Sequence, residues 1–355
     1  MIYFRCDVSG KAGWGHFKRC LALAESFRVF TQACFLIPEP DDHIRQLIQN
    51  VGAALCPLPK GISYAQELPH YPDGAQNIIV DLGHRKNLDN PQDFLEYLHA
   101  LDWHDYKIVI MDGLDDDSFR DERAPQVKAY VQPYWGVSEN VPPSAEHWLH
   151  GAQYVLLDKI YEDAYRKRTE DKIQNLLVTF GGADPQENTI RALSGLLDEN
   201  ANPAIKALDI TVIIGPSFAE THLQGIEGLA QNKSNVRLVY RPDNLLEYYH
   251  WADLCLGGSS TSRYEAVACG VPMIFTAIYP EHKKLSQSFC AYGTAQYIGY
   301  YEDIKSAGWH DAVFSLHQTL KAYINMVNAI EKMQQSEFGT EHLVKALLKI
   351  FELSQ

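Results

Sequence analysis

The sequence is poor in basic residues. Lysine and arginine total 31 against 45 aspartates and glutamates, a formal net charge of −14. A nucleic-acid-binding chain needs a basic surface to displace counterions from phosphates, so this balance argues against nonspecific nucleic-acid binding. It leaves room for a basic pocket around one phosphate group. No apolar run approaches the ~20 residues needed to cross a bilayer, so membrane insertion is not expected. The opening residues lack the basic region, long apolar core and small-residue cleavage site of a secretory signal, and a cytoplasmic location is expected. The seven cysteines are odd in number and form no C-x-x-C pair, which points to reduced thiols rather than disulfides or zinc. No cluster of ligand residues has metal-binding spacing, so no cofactor or metal is expected. Tandem repeats and low-complexity tracts are absent too. With 46% hydrophobic and 21% charged residues in 355, the chain has the make-up of an ordinary globular protein long enough for two domains.

What is present begins at the amino end. A short apolar strand, Ile2 to Cys6, runs into Asp7-Val8-Ser9-Gly10-Lys11-Ala12-Gly13-Trp14-Gly15-His16. Phe17, Cys20, Leu21, Ala24 and Phe27 then recur at helical spacing. Glycines between a strand and a helix let a ligand approach the main chain, and the helix start offers unpaired N–H groups to an anion. Gly13, Gly15 and His16 lie there. A histidine at that point is either a cap or a proton acceptor beside an anion seat.

Further along, apolar strands alternate with amphipathic helices. Strands are expected at 33–37, 78–80, 108–111 and 129–131, with a helix through Phe94, Tyr97, Leu98 and Leu101. This alternation predicts a parallel sheet covered on both faces, with ligands bound beyond the carboxyl ends of the strands. Asp7, Asp81 and Asp112 fall at that edge with the first glycine loop. Asp81 and Asp112 are each open to a catalytic or a capping role. The stretch from Gln132 to about Lys172, with Pro142-Pro143 and a charged run, reads as an interdomain crossing. The expected domains are therefore 1–160 and 161–355.

The second alternating unit starts with the strand 176–180 and Gly181-Gly182-Ala183-Asp184-Pro185, followed by strands near 210–214, 236–239, 254–256 and 272–275. The Gly257-Gly258-Ser259-Ser260-Thr261-Ser262 loop before a helix is suited to a pyrophosphate, held by backbone N–H groups and hydroxyls. Glu265, one turn on, either accepts from ribose hydroxyls or favours the positive helix end. Gly181 and Gly182 serve either a tight turn or ligand contact. From about Asp311 the chain reads as helical, with Leu316, Leu320, Ile324, Val327 and Ile330 on one face.

These motifs carry a family resemblance. The opening Arg5-Cys6-Asp7, Gly13-Trp14-Gly15-His16 and Arg19-Cys20-Leu21-Ala22-Leu23-Ala24 is similar to the start of the UDP-2,4-diacetamido-2,4,6-trideoxy-β-L-altropyranose hydrolases of pseudaminic acid biosynthesis. Gly151-Ala152-Gln153-Tyr154-Val155-Leu156-Leu157, Thr179-Phe180-Gly181-Gly182-Ala183-Asp184-Pro185 and Gly257-Gly258-Ser259-Ser260 with Glu265, Gly270 and Pro272 follow in family order. The resemblance implies a glycosyltransferase-like GT-B fold: two Rossmann-like α/β domains facing a cleft, with C-terminal helices. It implies a metal-independent hydrolase in which His16 activates water at the anomeric carbon with inversion. It also implies UDP-sugar binding by Asp7, Gly13, Gly15, Arg19, Asp81, Gly181, Gly182, Gly258, Ser259, Ser260 and Glu265. The chain departs from the family at Asp158, at Arg263-Tyr264 and at Tyr279-Pro280-Glu281-His282-Lys283, where an Asn-Gln pair is usual.

Three functions follow from this pattern: hydrolysis of a UDP-activated diacetamido sugar, glycosyl transfer from a nucleotide sugar to an alcohol, and nucleotide-sugar binding without turnover. A monomer is expected, with a UDP-sugar as its partner.

Overall fold

The computed structural model describes residues 1–8, 15–82, 91–111, 123–134, 144–168, 172–280, 282–334 and 339–353. They fall into two compact units, Met1–Lys159 with Glu337–Gln355, and Ile160–Ser336.

The first unit is built on seven strands: β1 Ile2–Cys6, β2 Ala33–Pro38, β3 Ala54–Leu58, β4 Asn77–Asp81, β5 Lys107–Met111, β6 Val127–Gln132 and β7 Ala145–His150. All pair in parallel, in the order β3-β2-β1-β4-β5-β6-β7. β1 is buried along its length because alternate residues enter two different cores. Ile2, Phe4 and Cys6 pack with the helix Gly15–Phe27. Tyr3 joins Phe94, Tyr97, Leu98 and Leu101 of the helix Pro91–Trp103 on the other face. On that face Arg5 is buried too, and its charge is met by two hydrogen bonds to Glu67, at 2.7 and 2.9 Å.

The second unit has six parallel strands: β8 Asn175–Thr179, β9 Asp209–Ile214, β10 Val236–Tyr240, β11 Leu254–Gly258, β12 Met273–Ala277 and β13 Ala295–Tyr300. Their order is β10-β9-β8-β11-β12-β13. Leu176, Val178, Leu254, Leu256 and Ile274 meet Leu193, Leu196 and Trp309 from the covering helices in one core. The helix Ser262–Ala268 stops as the sequence suggests. Gly270 takes φ +84°, and Gly270 N–H and Val271 N–H return to the carbonyls of Val267 and Ala266 at 3.0 and 2.8 Å.

Several expectations need correction. β3, β7 and β13 were not read as strands, and β7 lies inside the stretch read as an interdomain crossing. All three are sheet edges. Their side chains are largely half-exposed, and β3 carries a proline that a central strand would not tolerate. Gly257 and Gly258 belong to β11, so the loop before helix Ser262–Ala268 shrinks to Ser259–Thr261. The terminal helical region consists of Ser306–Gln318, Leu320–Gln334 and Thr340–Ile350, and Leu320 is exposed.

The segment 337–355, expected in the second domain, belongs to the first unit. Leu343, Val344, Leu347, Leu348 and Phe351 lie in the core that contains Phe17, Phe27 and Phe35. The buried hydroxyl of Thr340 donates to Leu157 O at 2.8 Å and accepts from Leu157 N–H at 3.0 Å, which ties this helix to the end of the first unit's main run.

Candidate functional site

In both sheets strand order reverses at one place, between β1 and β4 and between β8 and β11. Crevices beyond the carboxyl ends of strands at such reversals are where doubly wound folds seat ligands. The sequence-predicted residues gather at these two edges.

At the first edge Asp81, the last residue of β4, has a side chain with no solvent exposure. His16, Arg19 and Cys20 are spaced three and four apart on one helix, so all three project from one face onto it. His16 Nδ1 lies 2.7 Å from Asp81 Oδ1. Arg19 Nε donates to Oδ2 at 2.5 Å, and Arg19 Nη2 donates to Oδ1. Cys20 Sγ donates to Oδ2 at 3.4 Å. Arg19 Nη1 also donates to the Tyr134 hydroxyl, just beyond β6. Asp7 follows β1 at the same edge, its N–H on the Asp81 carbonyl at 3.1 Å.

Burial alone would push the Asp81 carboxyl up, but the charges of Arg19 and His16 and the hydrogen bonds from both outweigh it and hold the carboxyl down at about 2. Burial also opposes the charge on Arg19, and Asp81 again prevails, so the pair stays ionised. The Cys20 thiol is pushed up by burial and by the neighbouring Cys6, so it remains a protonated donor. An ionised Asp81 can only accept hydrogen bonds. His16 must therefore carry a proton on Nδ1, and Arg19 Nη2, 3.1 Å from that nitrogen, is a packing neighbour there. In the neutral imidazole the lone pair then lies on Nε2. This is the arrangement by which a buried carboxylate fixes an imidazole tautomer for general-base work.

Gly15 opens the helix. No described atom lies within 4 Å of where its Cβ would stand, so the described structure itself does not demand glycine there. Gly13, Asp112 and Glu281 lie outside the described residues.

At the second edge, Gly181 has φ +85°, a conformation that favours glycine, and leads into a turn against Gly215. A Cβ on Gly215 would strike the carbonyls of Gly181 and Gly182. Asp184 of the same motif is a cap. It accepts from Asn188 N–H at 3.0 Å, and from Thr189 N–H and hydroxyl at 2.7 and 2.6 Å, and so starts the helix Asn188–Leu196. Gly257 and Gly258 serve packing: a Cβ would lie 2.6 Å from Thr179 O at the first and 3.0 Å from Ile278 Cγ2 at the second.

Ser259 is buried, with Oγ 2.6 Å from His282 Nδ1 and accepting from Ile278 N–H at 3.3 Å. The hydroxyls of Ser260 and Ser262 lie 2.6 Å apart. Glu265 is held by the buried Tyr249, whose hydroxyl donates to Oε2 at 3.1 Å. Arg263, one of the departures from the family pattern, is packed inside. Its guanidinium lies 4.9 Å from the Phe289 ring centre and 5.1 Å from that of Tyr264, and Nε and Nη1 have no hydrogen-bond partner among the described residues.

Sequence reasoning missed Tyr134, Tyr249 and the pairing of His282 with Ser259. Tyr134 stands at a strand end, the one available signal, and Tyr249 lies within the helix Leu246–Trp251 with no motif to mark it.

No protein-family model matches the chain. An uncharacterized protein of Methanocaldococcus jannaschii is 24% identical over 281 residues, 76% of this chain, which spans about half (54%) of that relative's length. Among solved structures, MurG of Acinetobacter baumannii superposes with a TM-score of 0.66 at 13% identity, covering 98% of this chain and 99% of that one. The spinosyn rhamnosyltransferase SpnG gives 0.61 at 12% identity, covering 98% and 100%. HepE of Anabaena, solved with UDP and glucose, gives 0.62 at 10% identity, covering 99% of both chains. The chain has the GT-B fold. Its two parallel-sheet α/β units of seven and six strands match the fold of these GT-B glycosyltransferases along nearly the whole chain. No helix among the described residues is long and apolar enough to cross a membrane.

Proposed function

We propose that the protein is a GT-B enzyme that transfers a glycosyl group from a UDP-sugar, with His16 as its general base. The observation that carries this reading is the 2.7 Å contact between His16 Nδ1 and the buried, ionised Asp81. It supports a proton on Nδ1, which leaves Nε2 of the neutral imidazole to take the proton of an incoming hydroxyl. The hydroxyl oxygen attacks the anomeric carbon, and the bond from that carbon to the diphosphate oxygen breaks. The electron pair leaves with UDP, and configuration inverts. UDP is a good leaving group, and donors at the second unit's strand ends would stabilise its growing charge.

In this reading the second unit holds the nucleotide. Ser259, Ser260, Gly181 and Gly182 receive the diphosphate, and Glu265, set by Tyr249, accepts from the ribose hydroxyls. Asp7, Gly13, Gly15, Arg19 and Asp81 serve the sugar side, with Arg19 positioning Asp81. Gly15 suits close approach by substrate, since no described atom lies within 4 Å of where its Cβ would stand.

A second reading takes water as the acceptor, which makes the enzyme a UDP-sugar hydrolase. The order of motifs from Gly13-Trp14-Gly15-His16 to Gly257-Gly258-Ser259-Ser260 favours it, with a diacetamido-trideoxy sugar as the substrate. Incubation with a panel of UDP-sugars, with and without alcohol acceptors, separates the two. UDP release that requires an acceptor supports transfer, and equal release without one supports hydrolysis. Binding of UDP with no turnover of any donor would contradict both and leave a binding protein.

A further inference from the structure

The second edge contains a hydrogen-bond relay whose state depends on a proton. Ser259 Oγ stands 2.6 Å from His282 Nδ1 and already accepts the Ile278 N–H at 3.3 Å. A hydroxyl has one proton and two acceptor positions. If Nδ1 is bare, the serine proton is committed to the imidazole, and Ser259 has no proton left to offer an anion. If Nδ1 carries a proton, Oγ accepts from both Ile278 and His282, and its own proton is released toward a third group. A phosphate oxygen at this loop requires the second state.

We infer that binding of the nucleotide diphosphate at the Ser259 loop draws a proton onto His282. This rests on the UDP-binding role proposed above and adds to it a linkage that the neutral Asn-Gln pair of the resembling family could not supply.

Several elements pack against the helix that begins with His282. Helix His282–Cys290 packs on β12, which has no ionisable side chain, and on β13, which brings Tyr297 and Tyr300. Through Phe289 it also meets helix Ser262–Ala268, which carries Arg263, Tyr264 and Glu265. Its own helix adds Lys283, whose Nζ lies over the Tyr300 ring, and Lys284. Cys290 closes the same helix, the Tyr279 ring stands edge-on at 5.2 Å, and Glu281 lies outside the described residues. The negative charge of a diphosphate beside the ring favours the imidazolium. The neutral tautomer with its proton on Nδ1 would also free the serine proton, but it gains nothing from the diphosphate's charge.

The test is calorimetric titration of the full chain with UDP, in buffers of different ionisation enthalpy and across pH 7 to 9. Wild type should take up a fraction of a proton per UDP bound, with affinity falling by up to tenfold per pH unit on the alkaline side. His282→Asn keeps an amide able to donate to Ser259. It should bind UDP with no such uptake and a flat pH profile, and the difference from wild type cancels the nucleotide's own ionisation. Ser259→Ala should likewise flatten the profile. A wild-type affinity that is flat with pH would overturn the inference, as would equal proton uptake by wild type and His282→Asn. Both results would leave the nucleotide reading standing. Failure of wild type to bind UDP at any pH would overturn the nucleotide reading itself, and the inference with it.

Discussion

Asp81 is central at the residue scale because three side chains, those of His16, Arg19 and Cys20, are hydrogen-bonded to it. Asp81→Asn removes the acceptor that fixes the His16 tautomer and leaves the Arg19 charge buried without its counter-ion. We expect turnover to drop ~100- to 10,000-fold. Stability should fall by about 3–5 kcal/mol, the usual cost of removing one partner from a buried ion pair. Steady-state rates and urea unfolding measure the two effects. The pH dependence follows from the sign of the shift. A carboxyl held at about 2 in the fold, against 3.8 ordinarily, stabilises the protein fully above that ordinary value and loses the contribution as pH falls toward 2. Wild-type urea midpoints should therefore fall between pH 4 and pH 2 more steeply than those of Asp81→Asn. Gly15→Ala tests the other side. The added methyl meets no described atom, and alanine is favoured over glycine in a helix by up to ~1 kcal/mol. Thermal stability should hold or rise while activity falls. Unchanged activity would mean that nothing approaches the main chain there. His16 and Asp81 were legible in the sequence because a helix start and a strand end place them, and Arg19 entered only through the family resemblance. Their contact was not, and neither was Tyr134, 115 positions from Arg19.

Buried elements were legible, and so was one half-exposed edge strand, β10, through the apolar residues Val236, Leu238 and Val239. Central strands such as β1, β4, β8 and β11 are continuous apolar runs, buried on both faces, and were read directly. Edge strands β3, β7 and β13 mix exposed and buried positions, and that removes the signal periodicity provides. The helix Thr340–Ile350 has a clear apolar face, but nothing in that face says which core receives it. Leu347, fully buried in the core shared with Phe17, decides the matter experimentally. Leu347→Ala should cost about 2–5 kcal/mol. The loss should appear as faster hydrogen exchange in the first unit, around helix Gly15–Phe27, with the second unit's strands protected as before. Exchange that increases in β8 to β13 instead would contradict the assignment of this helix.

For the whole molecule, the repeated plan is the informative feature. Each unit is a parallel sheet with one reversal of strand order, and the residues with chemical potential stand at each reversal. The fold was legible because alternating strands and helices admit few parallel arrangements. The acceptor was not, because attack by water and by an alcohol asks the same of an imidazole. The central claim is that His16 takes a proton during turnover and contributes little to holding the nucleotide. The measurement closest to it compares His16→Ala with wild type for UDP affinity by calorimetry and for UDP release from the donor that wild type turns over. The account predicts UDP affinity within about twofold of wild type and release slowed ~100- to 10,000-fold. Release at the wild-type rate, or loss of UDP binding in parallel with loss of rate, would contradict it.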